Sequence, residues 1–338
     1  NIYTRIMNPT NDVLEKRVAA LEGGLACVTV GSGQAASTFA ITNVCQSGDN
    51  FISSTDLYGG TWNLFSNTMK DMGIECRFVD PSNPQDYENA IDENTRCIYA
   101  ETLPNPKLEV FPISEVAEIG KRNKVPLILD NTAAPYVSKP FDHGANIIVY
   151  STTKYIGGHG VSIGGLLVDG GNFDWEAAGD RFKMLNTPDP SYHGAVWTQA
   201  AKPLGPIAYI LKARVTLLRD LGSAMSPFNA FTFIQGLETL PLRMQRHCEN
   251  AEKVADYLSK HKKVEKTIYP SLMDKTYLER AKKYMDKGFG ALVGFELKDG
   301  EEAGKKFIDN LKVLYHVANI GDARSLAIHP SSTTHSQL

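Results

Sequence analysis

The chain has 338 residues, a net charge of −3, a hydrophobic content of 42% and a charged content of 22%. This ordinary globular composition gives no electrostatic reason to expect nucleic acid or an anionic membrane as a partner, and no apolar run approaches the ~18 residues of a membrane span. The five cysteines lack a Cys-x-x-Cys pair and the eight histidines lack His-x-x-x-His spacing, which predicts a reduced, cytoplasmic protein without a metal site.

Two polar residues near the start of the chain, Tyr3 and Arg5, alternate as on an extended strand. Their side chains would then share one face, and a phenol beside a guanidinium suits a phosphate group. An exposed strand with an arginine lying along the surface is the other interpretation. A helical pattern follows, capped by Thr10 or Asn11 and ended by the glycine pair after Glu22.

The stretch Gly31-Ser32-Gly33-Gln34-Ala35-Ala36 lies between a strand candidate and a helical pattern. A glycine turn at a helix start presents free backbone N–H groups to an anion, which favours a phosphate site at Gly33 and Gln34. The same stretch matches the dinucleotide fingerprint Gly-x-Gly-x-x-Ala, which requires an acid about 20 residues further on. Asp49 and Asp56 flank the next strand imperfectly, so a nicotinamide dehydrogenase and a plain turn remain alternatives.

Further polar residues follow strand candidates along the chain. They are Tyr58, Asn105, Asp130 and Lys154. Ligands of open α/β sheets bind at the carboxyl ends of the strands, so we expect these side chains to line one site. Asp130 ends an almost wholly apolar strand and needs a partner to stay charged. Lys154 follows three hydroxyl residues, including Ser151 and Thr153, that can donate to an anion. A lysine whose pKa is lowered by burial can form a Schiff base.

Strand and helix patterns alternate across residues 1–170, which predicts an α/β fold with a mainly parallel sheet and helices on both faces. The strand candidates are Ala26–Val30, Phe51–Ser54, Arg96–Ala100, Val125–Leu129 and Asn146–Tyr150. We predict a large domain over residues 1–243 and a small α+β domain over residues 244–338. The large domain would contain a long loop over Gly171–Pro206, with Pro188–Gly194 at its middle, and a kink or new helix at Pro241. Because the chain starts without methionine and stops in a polar run, we expect further segments at both ends.

The strand-end residues together fit one cofactor, pyridoxal 5'-phosphate. This cofactor needs a lysine for its aldehyde, a carboxylate for its ring nitrogen and a phosphate cradle. Lys154 and Asp130 supply the first two, and Gly33 with Gln34 supplies the third. The ring of Tyr58 would stack on the cofactor ring.

The same residues carry a resemblance to the Cys/Met-metabolism family of pyridoxal-phosphate enzymes, which have the aspartate-aminotransferase fold, the type I fold of pyridoxal-phosphate transferases. The resemblance covers essentially the whole chain. The matching motifs are Tyr3-x-Arg5, Ser32-Gly33-Gln34, Tyr58-Gly59, Glu101-Thr102 to Asn105-Pro106, Asp130-Asn131-Thr132, Ser151-x-Thr153-Lys154 through Gly158-His159-Gly160, Asn319-Ile320-Gly321-Asp322, and His329-Pro330 through Thr334-His335-Ser336.

The resemblance implies roles for residues that spacing alone leaves open. Tyr3 and Arg5 would bind the phosphate of a neighbouring subunit's cofactor, so a homo-oligomer is implied, a dimer of dimers by analogy. Asn105 would bind the phenolic oxygen of the cofactor. The hydroxyls of Ser151 and Thr153 would add donors to the phosphate, and Asn319 would line the substrate site. The family's arginine for the substrate carboxylate would lie beyond Leu338.

Within the family, Tyr58–Thr61 and the Pro188–Gly194 insert most resemble the O-acetylhomoserine sulfhydrylases. These enzymes replace the acetate of O-acetylhomoserine with sulfur to give homocysteine, in methionine biosynthesis. Lys154 would carry the α- and β-protons, and the sulfur donor could be sulfide, a thiol or a protein-borne sulfur. A methionine γ-lyase, which would be expected to carry Cys in place of Gly60, and a cystathionine synthase or lyase are the alternatives within the family. An NAD-dependent oxidoreductase is the distant one.

Overall fold

A seven-stranded sheet forms the centre of the computed structural model, which describes residues 2–330. Its strands are β1 (Ala26–Val30), β2 (Asn50–Ser54), β3 (Glu75–Val79), β4 (Thr95–Glu101), β5 (Leu127–Asp130), β6 (Ile147–Ser151) and β7 (Gly165–Asp169). Their spatial order is β1-β7-β6-β5-β4-β2-β3. Strands β2 to β6 pair in parallel, whereas β7 runs antiparallel to both β1 and β6. The sheet is therefore mainly parallel, which confirms the predicted α/β fold.

Helices pack against the sheet and continue beyond it. They are α1 (Pro9–Glu22), α2 (Gly33–Thr42), α3 (Gly59–Asn63), α4 (Met69–Asp71), α5 (Gln85–Ala90), α6 (Ile113–Asn123), α7 (Lys183–Asn186), α8 (Trp197–Ala200), α9 (Ala208–Lys212), α10 (Arg219–Leu221), α11 (Pro227–Ser259), α12 (Lys275–Tyr284) and α13 (Gly300–Asp309). Two π-helical segments, Leu64–Thr68 and Ala213–Leu218, connect α3 to α4 and α9 to α10. Short 3-10 turns lie at Pro140–His143, Gly179–Phe182, Pro190–Tyr192, Lys202–Leu204 and Pro270–Leu272.

The sheet separates two hydrophobic cores, because successive side chains of a strand point to opposite faces. In β6, Ile148 and Tyr150 belong to the core that also contains residues of α1, α6 and α11. Ile147 and Val149 belong to the other core, with residues of α2 and α9. The strands are thus buried on both sides, which explains why they appear in the sequence as nearly continuous apolar runs.

The N-terminal segment folds differently from the strand predicted for Tyr3 and Arg5. The carbonyl of Tyr3 accepts hydrogen bonds of 3.0 Å from the backbone N–H groups of both Ile6 and Met7, which makes a turn. That prediction is wrong because these backbone groups bond within the segment rather than to a neighbouring strand. The cap of α1 is Asn8, not Thr10 or Asn11, and its side chain accepts from the N–H of Thr10.

The C-terminal part is built on the 33-residue helix α11. This helix runs through Pro241, so no new helix starts there. The predicted domain boundary between residues 243 and 244 lies inside α11 and stays a prediction. Four short strands follow, β8 (Val264–Ile268), β9 (Gly294–Leu297), β10 (Tyr315–His316) and β11 (Leu326–Ala327). They form two small sheets, antiparallel β8-β9 and parallel β10-β11. Among residues 2–330, no helix has the length and apolarity to cross a membrane.

Candidate active site

The candidate site lies where β4, β5 and β6 end, on the sheet face covered by α2. Asp130 is the last residue of β5 and pairs in register with Glu101, the last residue of β4. Ser151 ends the neighbouring strand β6, and Lys154 follows three residues later. By strand alternation these three strand-end side chains lie on the same face as Tyr99, which packs in the α2 core. The edge predicted from the sequence is therefore present.

Lys154 is held by a segment from the far end of the chain. Its Nζ donates a 2.7 Å hydrogen bond to Oδ1 of Asn319, and burial lowers its pKa. Gly321 allows this approach, because an added Cβ would lie 2.5 Å from the backbone nitrogen of Tyr155. The N–H of Ala323 also donates to the carbonyl of Gly158, 2.8 Å away. The lowered pKa increases the neutral fraction of an amine that must act as a base or nucleophile.

Asp130 is a carboxylate placed in a poorly solvated position. Burial raises its pKa, and hydrogen bonds from Thr132 and the Tyr99 hydroxyl oppose that rise. The backbone N–H of Thr132 donates to Oδ1 at 2.9 Å, and the Tyr99 hydroxyl lies 3.4 Å from Oδ2. A carboxylate in this setting gains from a cationic N–H partner, such as a protonated pyridine nitrogen.

The start of α2 forms an anion cradle against the end of β6. Ser32 caps the helix, and its Oγ accepts from the N–H of Ala35 at 3.1 Å. The first-turn N–H groups of Gly33 and Gln34 have no intrahelical acceptor. A Cβ at Gly33 would lie 2.6 Å from the Cβ of Ser151, so only glycine fits this approach. The hydroxyl of Thr153 faces the backbone of Gly164, whose N–H donates to it at 3.2 Å. The free N–H groups suit a phosphate.

Tyr58 and Asn105 belong to two loops that follow β2 and β4. The backbone N–H of Tyr58 donates a 2.6 Å hydrogen bond to Oε1 of Glu101. The Tyr58 ring is 55% exposed and lies against Gly60, where an added Cβ would be 2.5 Å from Cε1 of the ring. The sequence motif assigns Glu101 no role of its own, although this residue carries the same signal as Asp130, an acid at the end of an apolar strand.

Tyr3 and Arg5 lie apart from this group. The guanidinium of Arg5 lies 5.1 Å from the centre of the Tyr3 ring and donates to the backbone carbonyl of Arg219. The Tyr3 side chain is 57% exposed. Their contacts within residues 2–330 do not reach Lys154 or Asp130. The predicted Thr334-His335-Ser336 motif lies outside the described residues.

The two acids that could bind a ribose in the dinucleotide interpretation both form ion pairs. Asp49 forms a 2.6 Å ion pair with Arg96, and Asp56 forms a 2.5 Å ion pair with Lys107. Both carboxylates are thus engaged with cations of this chain, which gives no support to a dehydrogenase.

Comparison with known proteins identifies the family. Residues 1–338 match the sequence profile of the family described as Cys/Met metabolism PLP-dependent enzymes. The chain belongs to this family. An O-acetyl-L-homoserine sulfhydrylase of Leptospira meyeri is 55% identical over all of this chain and 78% of that protein. O-acetyl-L-homoserine sulfhydrylase 1 of Thermus thermophilus is 47% identical over 100% of this chain and 80% of that protein. A homocysteine synthase of Schizosaccharomyces pombe is 45% identical over 100% of this chain and 78% of that protein.

Solved structures of this PLP-dependent family share the fold. A putative O-acetylhomoserine (thiol)-lyase of Campylobacter jejuni superposes with a TM-score of 0.95 at 42% identity, over 100% of this chain and 80% of that one. That protein carries an N'-pyridoxyl-lysine-5'-monophosphate. The metB protein of Corynebacterium glutamicum superposes with a TM-score of 0.83 at 34% identity, over 99% of this chain and 77% of that one. The chain therefore has the type I fold of pyridoxal-phosphate enzymes.

Pyridoxal phosphate is the cofactor of this family, and the residues at the sheet edge fit it. The cradle at Gly33 would hold the phosphate, and Asp130 would hold the ring nitrogen. The amine of Lys154 would meet the aldehyde, and the exposed ring of Tyr58 would cover the ring face. Each match uses a feature already present: a close backbone approach at Gly33, a buried carboxylate at Asp130 and an amine of lowered pKa at Lys154.

Proposed function

We propose that this enzyme replaces the acetate of O-acetylhomoserine with sulfur and forms homocysteine in methionine biosynthesis. The observation that supports this proposal most strongly is the 55% identity, over the whole chain, to a protein named O-acetyl-L-homoserine sulfhydrylase. The C–O bond at the γ-carbon breaks, a C–S bond forms there, and acetate leaves. The sulfur donor is sulfide, a small thiol or a protein-borne sulfur. We propose that the reaction takes place in the cytoplasm.

Lys154 moves the protons of this reaction. When bound, pyridoxal phosphate supplies the electron sink that makes the α-proton of the amino acid removable. The Lys154 Nζ takes that proton and then a β-proton, and its lowered pKa matches this work. Oδ1 of Asn319 accepts from Nζ and orients the amine between these positions. We also propose that Asn319 lines the substrate site.

The remaining site residues hold the cofactor rather than move protons. Asp130 would hold a proton on the ring nitrogen, and this charge would favour electron uptake by the cofactor. Gly33, Gln34 and Ser151 would bind the phosphate, with Thr153 supporting the turn through Gly164. The side-chain amide of Asn105 would bind the phenolic oxygen of the cofactor.

Product analysis tests the reaction. The purified holoenzyme, given O-acetylhomoserine and sulfide, is expected to form homocysteine and acetate in equal amounts. A methionine γ-lyase would instead release α-ketobutyrate from methionine. Release of α-ketobutyrate without formation of homocysteine would contradict the proposal.

We also infer that the enzyme works as a homo-oligomer, a dimer of dimers by analogy, in which Tyr3 and Arg5 reach a neighbour's cofactor phosphate. Tyr3 is exposed and Arg5 is half-buried, and their contacts within residues 2–330 do not reach Lys154 of the same subunit. Apolar residues also lie open beside the site, since Val161 is 70% exposed and Phe228 is 85% exposed. A second subunit covering this surface would bury them.

Mixed oligomers test the shared site. Arg5→Ala and Lys154→Ala are each expected to lose most activity alone. In a hybrid, the subunit that keeps Lys154 receives Arg5 from the other, so one of two sites is complete. We expect activity to return when the two variants are unfolded together and refolded. Absence of recovery in hybrids shown to contain both chains would refute the shared site.

A further inference from the structure

Glu101 is a buried acid at the site that the reaction does not use. It ends β4, is 8% exposed and pairs in register with Asp130. Its Oε1 accepts the backbone N–H of Tyr58 at 2.6 Å. The backbone N–H of Asn105 also faces this carboxylate and lowers its pKa. One side chain therefore lies against the backbones of both loops that carry ring-facing residues.

An acid in this position needs these donors. Burial and the neighbouring charge of Asp130 raise the pKa of Glu101, whereas the N–H groups of Tyr58 and Asn105 lower it. A buried carboxylate without partners would be strongly unfavourable, so folding favours the arrangement in which both loops turn their N–H groups toward it. The loops are thereby placed relative to β4.

Three of the residues proposed to contact the cofactor are connected to the neighbouring strands β4 and β5. Tyr58 and Asn105 are placed by Glu101 on β4, and Asp130 lies beside Glu101 on β5. A second connection between the same loops is the ion pair of Lys107 with Asp56, 2.5 Å long. It differs because the Lys107 side chain is 57% exposed, whereas the carboxylate of Asp56 is buried, so a control variant at position 107 must keep a cation beside that carboxylate.

We propose that Glu101 is a positioning residue whose buried carboxylate fixes Tyr58 and Asn105 together against the cofactor. The inference rests on the roles given to Tyr58 and Asn105 in the proposed function. A glutamine here keeps the volume and one acceptor oxygen. Its amide offers one uncharged acceptor oxygen in place of a charged carboxylate, so the two N–H groups would be held less firmly.

The test compares Glu101→Gln and Glu101→Asp with the control Lys107→Arg in the intact holoenzyme. The readouts are the dissociation constant of pyridoxal phosphate and the visible circular dichroism of the bound cofactor, which reports the orientation of its ring. Glu101→Gln is expected to raise the dissociation constant about tenfold and to change the dichroic band, because the buried N–H donors lose a charged acceptor. Glu101→Asp, one methylene shorter, should change both in the same direction. Lys107→Arg, which keeps a cation beside Asp56, should stay within about threefold of the parent with an unchanged band.

Unchanged affinity and dichroism in both Glu101 variants would overturn the proposal. A weaker affinity with an unchanged dichroic band would also overturn it, because the ring would then keep its orientation without Glu101. Neither readout uses a substrate. If product analysis refuted O-acetylhomoserine as substrate, the result for Glu101 would still stand or fall on its own.

Discussion

Two buried glutamates on opposite faces of the sheet show two uses of a buried acid. Glu101 accepts from the backbone of loops that face the cofactor, through Tyr58. Glu22, at the end of α1, accepts a 2.6 Å hydrogen bond from the hydroxyl of Tyr150. That hydroxyl accepts in turn from Nδ2 of Asn131, also at 2.6 Å. Glu101 thus positions loops on the ligand side of the sheet. Glu22 connects β6 and the residue after β5 to helix α1 on the other side.

The ligand site and the network around Glu22 are one residue apart in the chain, at the end of both β5 and β6. Tyr150 and Asn131 directly neighbour Ser151 and Asp130 in the chain, and alternation turns the two pairs to opposite faces. The network around Glu22 is less complete, since Glu22 Oε2 and Asn131 Oδ1 lack a hydrogen-bond partner within residues 2–330. Burial raises the pKa of Glu22 to about 7. We therefore expect changes at the ligand face to alter catalysis and changes behind it to alter stability.

The largest effect is expected for Asp130→Asn, on the ligand face. An amide cannot keep the ring nitrogen protonated, so kcat should fall on the order of 10²–10³-fold while the thermal midpoint changes little. Steady-state kinetics and a melting curve on the same preparation measure both. A kcat within tenfold of the parent would place the ring nitrogen elsewhere.

The next effect concerns pH and Glu22. The pKa of Glu22 is raised to about 7 in the folded state, above the ordinary value of 4.5. As the pH rises from about 4.5 to about 7, the unfolded chain loses this proton first, so stability is lost, up to about 3 kcal/mol. Glu22→Gln removes the titrating group and keeps an acceptor for Tyr150. Its melting temperature should therefore fall less than that of the parent between about pH 5 and about pH 8.

Asp169 serves as a matched second variant for that measurement. Burial raises the pKa of Asp169 to about 7 as well. Asp169→Asn should flatten the pH profile of stability in the same direction, and the double variant should flatten it further. If the melting temperatures of Glu22→Gln and the parent changed in parallel with pH, the pKa of Glu22 would not be raised in the folded protein.

A smaller effect is expected for Tyr150→Phe. This change removes the hydroxyl between Glu22 and Asn131. The Glu22 carboxyl loses its donor and the Asn131 amide keeps only the carbonyl of Ser138, so the free energy of unfolding should fall by about 2 kcal/mol. Activity per folded molecule should stay within about threefold, since the hydroxyl lies behind the sheet. Denaturant unfolding and kcat are the measurements. A large loss of kcat with unchanged stability would contradict the placement of this hydroxyl on the face of the sheet away from the ligand.

Much of the site could be predicted because its signals are local. The strands before Asp130 and Lys154 are buried on both faces and appear as short apolar runs, and the residue after each run marks the ligand edge. Edge strand β3 went unpredicted because only Val79 of its five residues is fully buried. The role of Glu101 was missed because its partners are backbone N–H groups, whose directions a sequence does not display. Tyr3 and Arg5 alternate like a strand, yet local hydrogen bonds fold them into a turn.

The central claim is that the amine of Lys154 is the one that meets the cofactor aldehyde. Borohydride reduction of the holoenzyme, followed by peptide mass spectrometry, tests it most directly. The account predicts a pyridoxyl group fixed on the peptide that contains Lys154, and no fixed cofactor in Lys154→Ala. A pyridoxyl group on another lysine of the parent enzyme, or cofactor still fixed in that variant, would contradict it.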